Sequence, residues 1–215
     1  CSSDAIYMPQ NSISSRVLPF GTSGIVSSGY DNFRIENSNL SITEYGNTVD
    51  SKHYYSNYNN DVKTWYINRV EDVNSNYMTY HYDDYNMEKY ISEIKFTGNV
   101  TENVLPNNSI KFFYGLREDK NFYFMNGIKF EQNLLLTKIE VWSNGLLFRT
   151  YLFEYSKDHY SELYSIEEKN YLGEGYNKTS FKYGGRNENE PIIATNFKVL
   201  NQDYDNGQRV FGDFN

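Results

Sequence analysis

Arg149-Thr150-Tyr151-Leu152-Phe153-Glu154-Tyr155 is the segment that decides the fold, because its apolar and polar residues alternate. Side chains of a β-strand point alternately to the two sides of a sheet, so Tyr151, Phe153 and Tyr155 share one aromatic face. Residues 135–142 alternate in the same way, and Ser143-Asn144-Gly145 follows them with the residue types that accept the left-handed backbone of a tight hairpin. We therefore predict that these two segments pair as an antiparallel hairpin.

Short alternating runs separated by Asn, Asp and Gly recur from Tyr30 to Tyr183. The clearest are Trp65–Val70, Tyr77–Tyr82, Ile91–Phe96, Ile110–Tyr114 and Thr179–Tyr183. Two Ala against 22 Tyr and 14 Phe favour strands and turns over helices. We predict an all-β fold, an antiparallel β-sheet or hairpin array arranged as a sandwich, an open barrel or a segment of a β shell.

Composition excludes several function classes. The net charge of −8 offers no basic surface for nucleic acid, so no nucleic-acid partner is predicted. No window holds the roughly 20 apolar residues of a transmembrane helix, and one cysteine forms neither an internal disulfide nor a Cys-based zinc site.

The chain divides by composition into four parts. Residues 1–28 are rich in Ser and Gly and read as a loop-like lead-in, and residues 29–186 form the Tyr-rich β domain. Residues 187–208 are predicted to be a linker with the first strand of a next unit, and residues 209–215 begin a further motif. Cys1 at the start is compatible with a lipid attached after lipoprotein processing, or with an arbitrary cut from a longer chain.

No catalytic or metal-binding motif stands out. The histidines lack metal-ligand spacing and are expected to be solvated or hydrogen-bonded strand residues; they are His53, His81 and His159. Gly173-Glu174-Gly175 lacks the third glycine and the helix of a dinucleotide loop, so it is predicted to be a turn. Adjacent carboxylates such as Asp83 and Asp84 point to opposite faces of a strand and do not flank one bond. We predict no enzymatic activity and no cofactor.

A family resemblance rests on an ordered series of motifs. Trp65-Tyr66-Ile67, Arg69-Val70-Glu71-Asp72 and the run from Asn76 to Asp83 resemble the passage W-x-I-x-x-I-x-D-x-x-G-N-x-I-x-Y-x-Y of the virulence-plasmid B-protein and insecticidal toxin-complex B-component family, relatives of RHS/YD-repeat proteins. Residues 90–99 are similar to the family's Y-L-x-x-I-x-Y-T-G-N, and residues 110–119 to its I-x-F-x-Y-x-x-R-x-D. The motif residues singled out are Trp65, Asp72, Tyr80, Tyr82, Asp83, Gly98, Arg117, Asp119, Arg149 and Tyr151. Ser75 stands where the family often has Gly.

The end of the chain, residues 211–215, resembles the opening of an FG-GAP repeat, a loop whose Asp and Asn oxygens hold calcium. Asp213 and Asn215 would be the first two ligands of that loop, which is incomplete here.

The resemblance implies a non-catalytic structural and binding module of a secreted or surface-displayed bacterial protein. It would form part of an RHS-like β shell or scaffold that docks other domains or subunits of a toxin-type assembly. One alternative is a cell-surface glycan-binding module, which the surplus of Tyr leaves open and which Cys1 would anchor through its lipid. A second is an ADP-ribosyltransferase, as carried by some virulence-plasmid relatives, although the Glu188-Asn189-Glu190 spacing falls in the predicted linker.

Overall fold

A computed structural model describes residue 7 and residues 15–21, 29–56, 59–157 and 160–183. The chain divides into two compact units, Cys1–Phe181 and Lys182–Asn215. Only residues 182 and 183 of the second unit are described, so the architecture below is that of the first unit.

The described residues form thirteen β-strands and no helix. The strands are β1 Ser15–Phe20, β2 Asn32–Asn37, β3 Ile42–Tyr45, β4 Lys52–Ser56, β5 Asn59–Trp65, β6 Ile67–Glu71, β7 Asn76–Tyr85, β8 Glu88–Asn99, β9 Asn108–Met125, β10 Ile128–Ser143, β11 Leu146–Lys157, β12 Ser161–Asn170 and β13 Gly175–Ser180. The all-β prediction is confirmed.

Eleven strands form one antiparallel sheet in the order β1-β2-β3-β6-β7-β8-β9-β10-β11-β12-β13. Each strand pairs with the next along the chain, except that β4 and β5 leave the series and pair with each other as a second, two-stranded sheet. The result is an open meander, with β1 and β13 at its two edges.

The ribbon predicted over Trp65–Val70 is divided between the two sheets. β5 ends at Trp65 in the small sheet, and β6 begins at Ile67 in the large one. Tyr66 lies between them, where its amide donates to the Ser51 carbonyl at 2.8 Å and its carbonyl accepts from the Gly46 amide at 2.9 Å. Alternation alone does not reveal this break, because both halves keep the period of two.

The prediction of a loop over residues 1–28 is wrong at β1. Residues 15–20 pair with β2 in continuous register, from Ser15 with Asn37 to Phe20 with Asn32. The Ser and Gly residues around this segment favoured a loop, and Pro19 is compatible with the strand because an edge strand accepts a proline whose nitrogen faces outward.

Tight turns join the strands where the sequence supplies residues for a left-handed backbone. The predicted hairpin between β10 and β11 is confirmed, with Asn144 at φ 49° and Gly145 at φ 76°. The turn between β6 and β7 forms although Ser75 replaces the expected glycine, and Ser75 adopts φ 62°. Gly173 at φ 81° lies in the turn before β13, as predicted for the Gly173-Glu174-Gly175 segment.

The apolar core is thin. Among the described residues, only Tyr82 and Phe130 are large apolar side chains that are buried, and of these only Phe130 is fully buried. Buried polar side chains outnumber them and include His53, Glu88 and Asn133. Stability in such a sheet comes largely from cross-strand pairs and satisfied polar groups rather than from a thick hydrophobic layer.

Candidate functional site

The large sheet splays at one end, because three of its ladders stop while the hairpins between them continue. The last paired residues of the three ladders are Arg69 with Thr79, Glu93 with Lys111 and Lys138 with Leu152. Beyond these points the hairpins project as separate two-stranded arms. We name them arm A (β4 and β5), arm B (residues 82–91), arm C (residues 114–136) and arm D (residues 155–157 and 160–163).

A tyrosine hydroxyl lies at each of the three splits and donates to a main-chain carbonyl of the preceding strand. The pairs are Tyr82 to Ile67, Tyr114 to Ile91 and Tyr155 to Leu136, each at 2.8 Å. In each pair, the tyrosine follows the last paired residue of its own strand by three positions in the sequence. The residue whose carbonyl accepts precedes the last paired residue of the neighbouring strand by two positions. The sheet therefore repeats one arrangement at each split: a tyrosine hydroxyl makes a hydrogen bond to the neighbouring strand where the main-chain ladder has ended.

Burial keeps these phenols in the neutral, donating form. It raises the pKa of Tyr114 to about 12 and also raises the pKa values of Tyr82 and Tyr155. The motif analysis selected Tyr82 but missed Tyr114 and Tyr155. The available signal was that each of the latter ends an alternating run.

Arms A, B and C meet at a buried charged cluster. The ammonium of Lys63 on arm A donates to the Tyr123 hydroxyl on arm C at 2.5 Å, and that hydroxyl donates to Oε1 of Glu88 on arm B at 2.5 Å. Lys63 Nζ also lies 3.7 Å from the same carboxylate oxygen and 3.5 Å from the ring centre of Phe130. The Lys63 and Glu88 side chains are only 5% and 10% exposed.

His53 closes the cluster from arm A. Its ring is 3% exposed, stacks 6.3 Å from Tyr66 and meets Phe130 edge-on at 5.7 Å. Nε2 lies 2.6 Å from the Met87 carbonyl, which requires a proton on Nε2, and no described residue makes a hydrogen bond to Nδ1. Burial lowers the pKa of His53, so its neutral form is the stable one.

Lys63, Glu88 and Tyr123 link three arms through a buried ion pair and its bridging hydroxyl, and we call these three residues the clamp. Burial lowers the pKa of Lys63 and raises the pKa of Tyr123, and the hydrogen bond to Glu88 raises the latter further. A buried pair held by a bridging hydroxyl is strongly destabilised when one member is removed, because an uncompensated charge stays inside. These residues lie far apart in sequence and none belongs to a motif, so sequence reasoning missed all of them.

Arg117 and Asp119 hold arm D against arm C. Four residues of β9, 117–120, face the single residue Asn133 of β10, because Leu116 pairs with Leu134 and Asn121 with Gln132. The bulge presents the Asp119 carboxylate to Ser161, whose amide donates to Oδ2 at 2.8 Å and whose hydroxyl donates to Oδ1. These bonds, with Arg117 Nε at 3.1 Å, lower the pKa of Asp119 to about 2.

Asp72 and Gly98 organise the opposite end of the sheet. The Asp72 carboxylate accepts the amides of Asn74 at 2.8 Å and Asn76 at 2.9 Å, which builds the turn that contains Ser75. The side-chain bond from Asn76 and these amides lower the pKa of Asp72. Gly98 is buried under the Tyr77 ring, where a β-carbon would come within 2.5 Å of the ring. Both motif residues therefore have a structural reason.

The remaining motif residues are dispersed along the sheet. Trp65 meets the Phe33 ring edge-on at 4.9 Å, and Tyr80 donates to the Met78 sulfur at 3.0 Å. Asp83 is exposed on arm B, and Arg149 pairs with Glu168 across β11 and β12. Tyr151 pairs with Ile139 in the ladder between β10 and β11. The motif set does not converge on one site.

Other predicted residues are placed as follows. His81 is a hydrogen-bonded strand residue, with Nε2 3.2 Å from Thr79 Oγ1. The predictions for Cys1, His159, residues 187–208, residues 209–215 and the calcium ligands Asp213 and Asn215 lie outside the described residues. Within the described part of the chain, no group of three or more His, Cys, Asp or Glu is placed to hold a metal ion. No helix there is long and apolar enough to cross a membrane.

The two edges of the large sheet differ. β1 carries Pro19, and its outer side pairs with Tyr7 through two bonds between Tyr7 and Val17 at 3.0 and 2.8 Å. All six residues of β13 are exposed, and in the described part of the chain no strand pairs with its outer side. The two edges therefore differ in whether a described residue pairs with their outer side.

The sequence matches no protein-family model and no curated protein. The fold, however, is shared with solved structures. The N-terminal domain of effector protein SpvB from Salmonella typhimurium strain LT2 matches with a TM-score of 0.64 and 15% identity, over 77% of this chain and 68% of that one. A crystal structure of TcdB2-TccC3-Cdc42 matches with a TM-score of 0.58 and 11% identity, over 79% of this chain. A Tc holotoxin pore of Photorhabdus luminescens matches with a TM-score of 0.59 and 12% identity, over 77% of this chain.

The chain spans only 11% and 10% of those two toxin chains. At these identities the likeness concerns the fold: an open antiparallel β-sheet found in a virulence effector domain and in toxin-complex components. The predicted resemblance is thus supported at the level of the fold.

Proposed function

We propose that this chain is a non-catalytic structural module of a secreted or surface bacterial toxin-type assembly, and that it docks a neighbouring domain or subunit along β13. The observation that carries the proposal is the unequal pair of sheet edges. An unpaired strand offers a row of main-chain donors and acceptors, and a second β-strand satisfies them.

The direction of the β13 amides can be worked out. The Phe181 amide donates to the Tyr164 carbonyl at 2.9 Å, and Thr179 lies opposite Ile166 in the same register. Main-chain groups alternate in direction along an antiparallel strand, so Lys178 and Ser180 turn their amides away from β12. These two amides would bind the added strand.

The fold neighbours support an assembly role, since one is a crystal structure of TcdB2 with TccC3 and Cdc42 and another is a Tc holotoxin pore that contains TccC3. The buried clamp supports a structural role, because Lys63 and Glu88 are held inside the arms rather than offered to a substrate. The proposal assigns no reaction to these residues.

Site-specific photo-crosslinking in the producing cell tests the docking edge. A crosslinker at Tyr176, which is 57% exposed on β13, is expected to capture one defined β-segment of the same assembly. The matched control is a crosslinker at Phe20, which is 44% exposed on the covered edge strand β1.

Ser180→Pro removes one outward amide and leaves the bonds to β12 in place. It should abolish the Tyr176 crosslink without altering the circular dichroism of the isolated chain. Equal labelling from Phe20 and Tyr176, or a Tyr176 crosslink that Ser180→Pro leaves unchanged, would show that β13 is not the docking edge.

A further inference from the structure

A shallow pocket of about 220 Å³ lies on the large sheet beside the turn between β10 and β11. It is built by β8, β9 and β10 and by the loop that precedes β9. Lys95, Ser109 and Trp142 lie side by side on these three strands. Because the small Ser109 separates two long side chains, a depression forms between them.

Trp142 forms an aromatic wall with a fixed orientation. Its indole Nε1 donates to Oε2 of Glu140 at 3.1 Å, and the ammonium of Lys111 lies 4.7 Å from its ring centre. An ordered indole beside polar groups suits the apolar C–H face of a pyranose ring.

Lys111 lies opposite Glu93 on β8 and opposite Glu140 on β10, and both of these carboxylates pair with other lysines. Glu93 pairs with Lys95 at 3.4 Å, and Glu140 pairs with Lys138 at 2.7 Å. Among the described residues, Lys111 makes no ion pair. A ligand that carries a carboxylate would supply the missing partner.

Two amide side chains form the rim and are held in place by the turn. Asn107 Nδ2 donates to the Asn144 side chain at 2.7 Å, and the Asn144 amide donates to Asn108 Oδ1 at 3.1 Å. Each side-chain nitrogen Nδ2 carries two N–H groups. Asn107 uses one of them in its bond to Asn144, and Asn108 uses one in its bond to the Thr97 hydroxyl. Asn107 lines the pocket, and within the described part of the chain its second N–H has no partner, so it can donate to a ligand hydroxyl.

From these features we propose that the pocket binds an acidic sugar residue of a glycan. The sugar carboxylate lies on the Lys111 ammonium, an apolar face of the ring lies on Trp142, and a hydroxyl accepts from Asn107. The volume lies below the roughly 300 Å³ of drug-sized sites, so one sugar residue is the expected occupant. The site lies on strands β8 to β10 and does not depend on docking at β13.

Saturation-transfer NMR with soluble sugars tests the proposal. The probes are methyl glycosides of N-acetylneuraminic acid and glucuronic acid, with methyl glucoside as the neutral comparison. At least one acidic sugar should bind saturably and at least about tenfold more tightly than the neutral one, which corresponds to the strength of one charge-assisted hydrogen bond.

Three substitutions identify the residues responsible. Trp142→Ala should abolish binding, and Lys111→Met should remove the preference for acidic sugars. Ser109→Leu should abolish binding by filling the pocket, although Trp142 and Lys111 remain. The matched control is Lys129→Met, because Lys129 also lies 4.7 Å above an aromatic ring, that of Phe122, but outside the pocket. Each variant is first checked for an unchanged circular dichroism spectrum.

Three results would overturn the proposal that the pocket binds an acidic sugar. It is overturned if neither acidic sugar binds the natural chain, if neutral and acidic sugars bind equally, or if Ser109→Leu and Lys111→Met bind like the natural chain. Ser180→Pro should leave sugar binding unchanged, so a failed docking proposal and a failed glycan proposal remain distinguishable.

Discussion

Replacing Glu88 by Gln should be among the most damaging single-atom changes in this chain. Gln keeps the shape and can still accept the hydroxyl of Tyr123, but it leaves the Lys63 ammonium, 5% exposed, without its carboxylate. Removal of one member of a buried ion pair costs about 3–5 kcal/mol. The retained hydrogen bond places the expected loss at the lower end, about 3 kcal/mol.

Urea unfolding, followed by tryptophan fluorescence, measures this loss. With a denaturant slope of about 2 kcal/mol per molar, the unfolding midpoint should fall by about 1.5 M. The control is Glu131→Gln, which removes the carboxylate of the surface pair with Lys129, where both side chains are at least a third exposed. That change should cost less than about 1 kcal/mol.

A double variant separates the charge effect from other damage. Lys63→Met together with Glu88→Gln removes the uncompensated charge, so it should recover most of the lost stability. The clamp is refuted if Glu88→Gln costs no more than Glu131→Gln, or if the double variant is no more stable than Glu88→Gln alone.

Three further predictions concern single side chains. Tyr114→Phe should lower the free energy of unfolding by about 1 kcal/mol through loss of one hydrogen bond, whereas the same change at the exposed Tyr160 should have no measurable effect in the same urea titration. Ser75→Gly should raise the thermal midpoint, because relief of about 1–2 kcal/mol of left-handed strain exceeds the roughly 0.5–1 kcal/mol entropic cost of glycine; an unchanged or lower midpoint contradicts this. The folded pKa of His53 is lowered below its ordinary 6.5, so its contribution to stability is complete above pH 6.5 and is lost as the pH falls below that value. Urea unfolding of His53→Gln should therefore show a smaller decrease in the free energy of unfolding between about pH 7 and pH 5 than the natural chain shows. His81→Gln, which changes a side chain that is 41% exposed, should show the same decrease as the natural chain.

The local structure of this chain could be predicted where strands are regular. Alternation identified β7 to β11, and Asn144-Gly145 located the hairpin between β10 and β11. The prediction failed at β1, where a Ser- and Gly-rich segment contains an edge strand, and at Tyr66, where the period continues although the chain changes sheets. Both failures concern pairing partners, which a strand's own residues do not specify.

The candidate sites likewise include residues that the sequence indicates and residues that only the structure brings together. The motif residues Asp72 and Asp119 are visible in sequence, and each makes hydrogen bonds that hold the fold. The charged clamp is invisible in sequence, because Lys63, Glu88 and Tyr123 come from three arms and share no motif. The pocket at Trp142 is equally hidden, because it depends on which side chains become neighbours across three strands.

The sequence alone determined that this chain is an aromatic, acidic, antiparallel β protein, since side-chain period, turn residues and charge are local or additive properties. Only the tertiary structure decided that the sheet splays into arms held by three tyrosines and that a lysine and a glutamate are buried together. It also decided that, among the described residues, β1 pairs with Tyr7 on its outer side while no strand pairs with the outer side of β13. These features depend on register and on contacts between residues distant in the chain. The free energy of such contacts comes from burial and geometry that no single segment possesses by itself.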